Sequence, residues 1–265
     1  MSRIEDRFKN LNGSKALVAF FTAGDPDLSA SKEIFSVIEK SGADIIEIGV
    51  PFSDPLADGP VIQASSHRSL KNKTTLKKII QLVKDIRSES DLPIVLMASF
   101  NPIFVYGQKA FVEDAVNAGV DGVILPDLPP EEAEEFLGYA NEKKLDMIFL
   151  LAPTSTPDRI QRIGELSKGF IYYISLTGTT GTKASLAENL QEKVTAIKNK
   201  VQLPVLVGFG ISGPDQAHEA AQCSDGVIIG SAIVKLIESH PNPIERNQNI
   251  ADFVSGIKKA LTNNS

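Results

Sequence analysis

The sequence predicts an α/β fold, a (β/α)8 TIM barrel of parallel strands and helices with a short extra helix at its amino end. Eight short apolar runs rich in Val and Ile recur along the 265 residues. Stretches with apolar residues at helical spacing lie between them. The rival architecture, an open doubly wound sheet, lacks its glycine fingerprint, because the first run ends in TAGDPD rather than GxGxxG.

The extra helix is expected from about Ser2 to Asn10. The runs follow as ALVAFF (Ala16–Phe21), DIIEIG (Asp44–Gly49), PIVLMA (Pro93–Ala98) and GVILP (Gly122–Pro126). They continue as MIFLLA (Met147–Ala152), FIYYIS (Phe170–Ser175), PVLVGFG (Pro204–Gly210) and GVIIGS (Gly226–Ser231). Short, continuous and apolar, they fit strands buried on both faces of a parallel sheet. SASKEIFSVIEKSG and PEEAEEFLGYANEKK space their apolar residues by three and four, with charges opposite, as amphipathic helices do. Ser29 and Pro157-Asp158 mark helix starts. SGADIIEIG, AGVDGVILP and CSDGVIIGS each set small residues and an Asp before a strand, a partial internal echo. No linker interrupts the pattern, so residues 1–265 read as a single barrel domain.

Net charge is -6 and the pI about 5.2, with Lys and Arg scattered, so no surface is built for nucleic acid. The one cysteine, Cys223, excludes an internal disulfide and reads as a small buried hydrophobe. MSRIEDRFKNLNG has no signal-peptide core, and no run is long enough to span a bilayer. A soluble protein of the cytoplasm, or of a plastid stroma, is expected.

In such a barrel the chemistry sits at the carboxyl ends of the strands. Ile45, Glu47 and Gly49 share one strand face and Ile46 and Ile48 the other, so Glu47 points inward if the two isoleucines pack on helices. A carboxylate there is costly unless paired or functional, and suits a general acid or base with a raised pKa. Asp54 and Asp58 follow in FSDPLADGP. Both fit ordinary turns, either could be a second polar group of the site, and the residues alone favour neither. GFGIS (Gly208–Ser212) and IIGSAI (Ile228–Ile233) close the last two strands, where barrels commonly hold phosphate on backbone N–H groups. TGTTGTK (Thr177–Lys183) reads as a plain loop or as a lid, and lacks the P-loop spacing. His67, His218 and His240 show no metal-ligand spacing, no lysine sits at a strand end for a Schiff base, and no GxSxG elbow occurs. Carboxylate acid–base work on a small phosphorylated substrate, without a metal, remains.

AFFTAGDPD, GADIIEIGVPFSDPLADGPVIQ, GVILPDLP, LPVLVGFGIS and DGVIIGSAIVK together resemble the tryptophan synthase alpha subunit family, in its order and over essentially the whole chain. The resemblance implies a retro-aldol lyase that splits indole-3-glycerol phosphate into indole and glyceraldehyde 3-phosphate. It implies catalytic roles for Glu47 and Asp58 and an active-site tyrosine at Tyr172, with Tyr173 the other alignment. Phosphate contacts are implied at Gly181, Gly210, Gly230 and Ser231, and an indole pocket of Phe20, Met97, Ile124, Phe209 and Ile228. No cofactor is implied in this subunit. The implied partner is a pyridoxal-phosphate beta subunit in an alpha2-beta2 tetramer, docked on the mouth side at Asp54, Pro55, Asn101–Phe104 and Asp127–Pro129. Leu176 stands where some members carry arginine, and Ser99 and Phe100 where bulkier or tyrosyl residues are frequent. A stand-alone lyase releasing free indole, and a non-catalytic allosteric barrel, are the alternative functions.

Overall fold

In the computed structural model, residues 2–55, 57–174, 183–208 and 210–262 are described, 183–188 as backbone alone. A helix, α1 (Arg3–Asn10), precedes β1 (Ala16–Thr22), α2 (Leu28–Lys40) and β2 (Ile45–Gly49). Two helices, α3 (Pro60–Lys71) and α4 (Leu76–Arg87), fill the long gap before β3 (Ile94–Met97). Then come α5 (Phe100–Tyr106), α6 (Gln108–Ala118), β4 (Gly122–Ile124), α7 (Glu134–Lys143), β5 (Asp146–Ile148) and β6 (Leu150–Leu151). The chain continues through α8 (Pro157–Leu166), β7 (Ile171–Ile174), α9 (Lys183–Lys198), β8 (Val205–Gly208) and α10 (Pro214–Ala221). It ends in β9 (Gly226–Ile229), α11 (Ser231–Ser239) and α12 (Pro243–Thr262).

The strands are parallel, in the order β5-β4-β3-β2-β1-β9-β8-β7-β6. The two ends of that order, β5 and β6, are halves of the fifth apolar run, parted only by Phe149. The sequence reads that run as one strand. Its first half pairs with β4 and its second with β7, so one run joins both ends of the sheet. The start of α2 also differs from the expected Ser29. Asp27 is the cap, in extended backbone, because its carboxylate accepts from the Ala30 N–H at 2.8 Å.

Side-chain alternation divides the core. Ala16, Val18, Ile45, Val95, Ile124, Ile148, Phe170, Leu206 and Ile228 fill the barrel interior. Leu17, Ala19, Phe21, Ile46 and Ile48 pack outward with the helices. Ile4, Phe8 and Leu11 of the α1 region join the interior set, with the Phe8 and Phe170 rings 6.1 Å apart. Fully burying a side chain of this size stabilises the fold by roughly 1.5–3 kcal/mol. An apolar amino-terminal plug thus supports the interior, while the opposite mouth carries polar groups.

The echoed aspartates have a structural explanation. Asp44 accepts from the Leu17 N–H at 2.7 Å, Asp121 from Ile94 at 2.8 Å and Asp225 from Val205 at 2.9 Å. Each ties the start of its own strand to the start of the preceding neighbour. Cations balance them: Arg7 and Lys258 at Asp44, Arg3 and Arg87 at Asp121, Lys198 at Asp225. Cys223 is partly buried against the outer core rather than fully enclosed. No helix among the described residues is long and apolar enough to cross a membrane.

Candidate active site

β1 and β2 pair so that Phe20 stands beside Glu47 and Thr22 beside Gly49. Ile46 and Ile48 do pack on the helices, which turns Glu47 inward. Glu47 is 1% exposed, and its Oε2 has no hydrogen-bond partner among the described residues. Burial, and then the negative charge of Asp58, push its pKa from 4.5 up to about 8. At neutral pH this carboxyl holds its proton, and once it gives that proton away it is a base.

Asp58 lies at the end of the loop after β2, just before the Gly59 cap and Pro60 that start α3. Gln63 Nε2 donates to the Asp58 carbonyl at 2.7 Å. α3 is fastened to the loop after β1. Arg68 grips Asp25 with two bonds of 2.9 and 2.8 Å, Ser65 donates to Asp25 at 2.7 Å, and Ser69 donates to the Ala23 carbonyl at 2.6 Å. Asp58 therefore hangs from a fixed helix. Its pKa is raised by burial first and by the charge of Asp127 second. Asp127 accepts from the Phe100 N–H at 2.8 Å, at the start of α5.

A cavity opens here, lined by Phe20, Thr22, Gly49, Val50, Pro55, Ala57, Asp58, Ile62, Ser66, Met97, Ala98, Ser99, Pro126 and Asp127. The two loop aspartates now separate. Asp58 is on the wall, whereas Asp54 is exposed and takes a hydrogen bond from Ser53 at 2.7 Å. Of the residues expected in an indole pocket, Phe20 and Met97 line the cavity. Ile124 and Ile228 do not: they are packed in the barrel interior beneath the open wall, because their inward positions fall within the filled core. Phe20 needs small neighbours. A Cβ on Gly49 would lie 2.5 Å from its Cζ, and one on Gly230 3.1 Å from its Cδ1.

Tyr172 belongs to the interior set, while Tyr173 is buried in the outer core, so Tyr172 is the tyrosine that faces the barrel. Desolvation, and then the charges of Glu47 and Asp58, raise its pKa and keep the phenol neutral. At the last two strand ends, Gly230 caps α11 with no side-chain cap bond, Ser231 opens that helix, and Gly210 has a φ of 77°. Uncapped N–H groups at a helix start are the donor set an anion needs. Gly181, Phe209, Leu176 and residues 177–182 lie outside the described residues, and Lys183 opens α9 as backbone.

On the expected docking rim, Asp54 and Asn101 are exposed, Phe104 is 63% exposed, and Pro129 is partly buried. Pro55 and Asp127 do more than form a rim, since both also line the cavity. The sequence reading passed over Thr22, Ile62 and Ser66. Thr22 follows Phe20 at the strand period of two, and Ile62 and Ser66 are spaced by four on α3, so periodicity carried a usable signal. Among the described residues no three His, Cys, Asp or Glu side chains gather as a metal site would require.

Residues 8–262 match the family model described as "Tryptophan synthase alpha chain". The tryptophan synthase alpha chain of Geotalea uraniireducens (strain Rf4) is 53% identical over 263 residues, covering 98% of each chain. That of Geobacter sulfurreducens is 50% identical over 265 residues, covering 99% of this chain and 100% of the relative. The crystal structure of the tryptophan synthase alpha chain from Legionella pneumophila subsp. pneumophila superposes with a TM-score of 0.92 at 34% identity, covering 100% of this chain and 99% of that one. A chain of the tryptophan synthase complex from Pyrococcus furiosus superposes with a TM-score of 0.82 at 34% identity, covering 92% and 97%.

Proposed function

The chain belongs to the tryptophan synthase alpha chain family, and we propose that its barrel mouth cleaves indole-3-glycerol phosphate to indole and glyceraldehyde 3-phosphate by acid–base catalysis. The observation that carries this reading is the inward, desolvated Glu47, protonated at neutral pH and paired across β1 and β2 with an apolar ring, Phe20.

The substrate's indole lies on Phe20 and Met97, with its N–H toward Asp58. Glu47 gives its proton to the indole carbon that bears the glycerol chain. The ring nitrogen becomes electron-poor, and the Asp58 carboxylate stabilises that charge. Glu47, now a carboxylate, takes the proton of the hydroxyl on the adjoining chain carbon. The carbon–carbon bond breaks, its electrons return to the ring, and the chain carbon becomes an aldehyde. Glu47 ends as it began, so one group serves as acid and then base. Tyr172, held neutral, can donate a hydrogen bond to the reacting groups. Gly210, Gly230 and Ser231 hold the phosphate on backbone N–H groups and a hydroxyl, and the family resemblance adds Gly181.

The product indole goes to a pyridoxal-phosphate beta subunit in an alpha2-beta2 tetramer, in the cytoplasm. The exposed Asp54, Asn101 and Phe104, with Pro55, Asp127 and Pro129, form the docking rim. Support comes from the exposed apolar pair Phe104 and Val105 beside the mouth and from the structural likeness to a chain of a tryptophan synthase complex. Purified protein, with and without the beta subunit, should release indole from indole-3-glycerol phosphate, faster with the partner. Equal, high rates in both would favour a stand-alone lyase. Partner binding without turnover would leave only an allosteric barrel.

A further inference from the structure

Thr22 ends β1 on the same face as Ala16, Val18 and Phe20, pointing inward, and it lines the cavity with Asp58 and Ser66. It is 1% exposed, yet its Oγ1 has no hydrogen-bond partner among the described residues. Its backbone is committed: the Thr22 carbonyl accepts from Asp25 at 3.4 Å, and the next N–H, of Ala23, donates to the Gly49 carbonyl at 2.9 Å. An idle buried hydroxyl costs folding free energy, because water is stripped from it with nothing in return. Such a cost persists when the group is used in another state of the protein.

The surroundings say what that state needs. Asp58 and Asp127 share the cavity wall with Thr22, Glu47 lies on the adjoining strand beside Phe20, and Tyr172 faces the interior from β7. Three carboxyl groups stand at the mouth, Glu47 buried, Asp58 half-buried and Asp127 exposed, and the retro-aldol step asks one of them, Asp58, to be ionised. A hydroxyl donor is what an ionised carboxylate there requires. Glu47 cannot serve, since its proton is spent in the reaction, and Asp127 is an acceptor already engaged with the Phe100 N–H at 2.8 Å.

We propose that Thr22 is a positioning residue for the reaction: in the substrate complex its hydroxyl donates to the Asp58 carboxylate, holding it ionised and aimed at the indole N–H. This role rests on the lyase reading given above. The hydroxyl does not touch the carbon–carbon bond; it acts through Asp58.

Thr22→Val and Thr22→Ser, assayed with the beta subunit and indole-3-glycerol phosphate beside wild type, test it. Thr22→Val should lose about 10- to 100-fold in kcat/KM, as expected for a hydrogen bond to a charged group. The acid limb of its pH profile should move to higher pH. Its Tm should equal or exceed that of wild type, since an idle hydroxyl is replaced by a methyl. Thr22→Ser should keep wild-type turnover within about threefold and keep the acid limb. A Thr22→Val enzyme with wild-type kcat/KM and acid limb would overturn the role, as would a lower Tm, which would mean that the hydroxyl is a structural bond. Should Thr22→Val not fold, loss of the acid limb's position in Thr22→Ser would count against the role in the same way. Absence of turnover by wild type would overturn the lyase reading and this role with it, whereas turnover by wild type isolates the fate of Thr22.

Discussion

Glu47 is held protonated by its burial and, beyond that, by the negative charge of Asp58 at the same mouth. Both groups have pKa values raised above their ordinary ranges, and their tasks are opposite. Glu47 must start with its proton, and Asp58 must start without one. The kcat/KM profile should therefore be a bell. Its alkaline limb should fall tenfold per pH unit above about 8, as Glu47 ionises. Its acid limb should lie above the ordinary aspartate value of 3.8. Initial rates across pH at low substrate measure both limbs. A rate that keeps rising past the Glu47 titration would show that Glu47 begins as a base.

Stability should carry the same signature with a definite sign. The folded pKa of Glu47, about 8, exceeds the ordinary glutamate value of 4.5. Between those two values the folded protein binds more protons than the unfolded chain, so stability falls as pH rises. The slope from this one group is at most about 1.4 kcal/mol per pH unit. Glu47→Gln removes it. The variant should match wild type near the acid end of that window and exceed it increasingly toward the alkaline end. Urea melts at several pH values read this directly, and parallel curves for the two proteins would refute the buried ionisation.

Asp121, at the amino ends of the strands, should behave in the opposite way to the mouth carboxylates. It accepts from the Ile94 N–H at 2.8 Å and pairs with Arg3 and Arg87, each at 2.9 Å. Asp121→Ala leaves the part-buried Arg87 guanidinium with its carbonyl bonds but no carboxylate, and the Ile94 N–H with no acceptor, costing about 1–3 kcal/mol. The folded fraction should turn over at the wild-type kcat. Denaturant midpoints and kcat, measured together, separate the two effects.

Much of this was legible in the chain. Period two put Glu47 on the face opposite Ile46 and Ile48, and their packing on the helices makes that face the inner one. The eight runs gave the barrel. Other features depended on contacts between distant segments, for which no local pattern exists. The grip of Arg68 on Asp25 spans 43 residues. The separation of Asp58 from Asp54 depends on which wall the loop lies against, and turn chemistry suits both. Splitting of the fifth run reflects pairing with a different neighbour in each half, which its uniform apolarity conceals. Ile124 and Ile228 are placed in the indole pocket by the family resemblance alone. Parity shows only that a side chain faces inward, and how deep the filled core reaches is a property of packing.

Tyr172 gives a steric prediction. A Cβ on Gly208 would lie 2.4 Å from the Tyr172 Cε2 and 2.7 Å from its hydroxyl. The ring must move for any side chain at 208. Gly208→Ala should destabilise by about 1–3 kcal/mol through overpacking. It should also lower kcat by about 10- to 100-fold through displacement of the phenol. A crystal structure of the variant and its turnover number check both parts.

The decisive measurement is the rate of indole formation from indole-3-glycerol phosphate by Glu47→Gln, with the beta subunit present and wild type alongside. Glutamine keeps the shape of the side chain and removes the transferable proton. Turnover should drop by about 10³-fold or more, with the fold and partner binding intact. Wild-type turnover by a folded Glu47→Gln protein would contradict the proton shuttle at the centre of this mechanism.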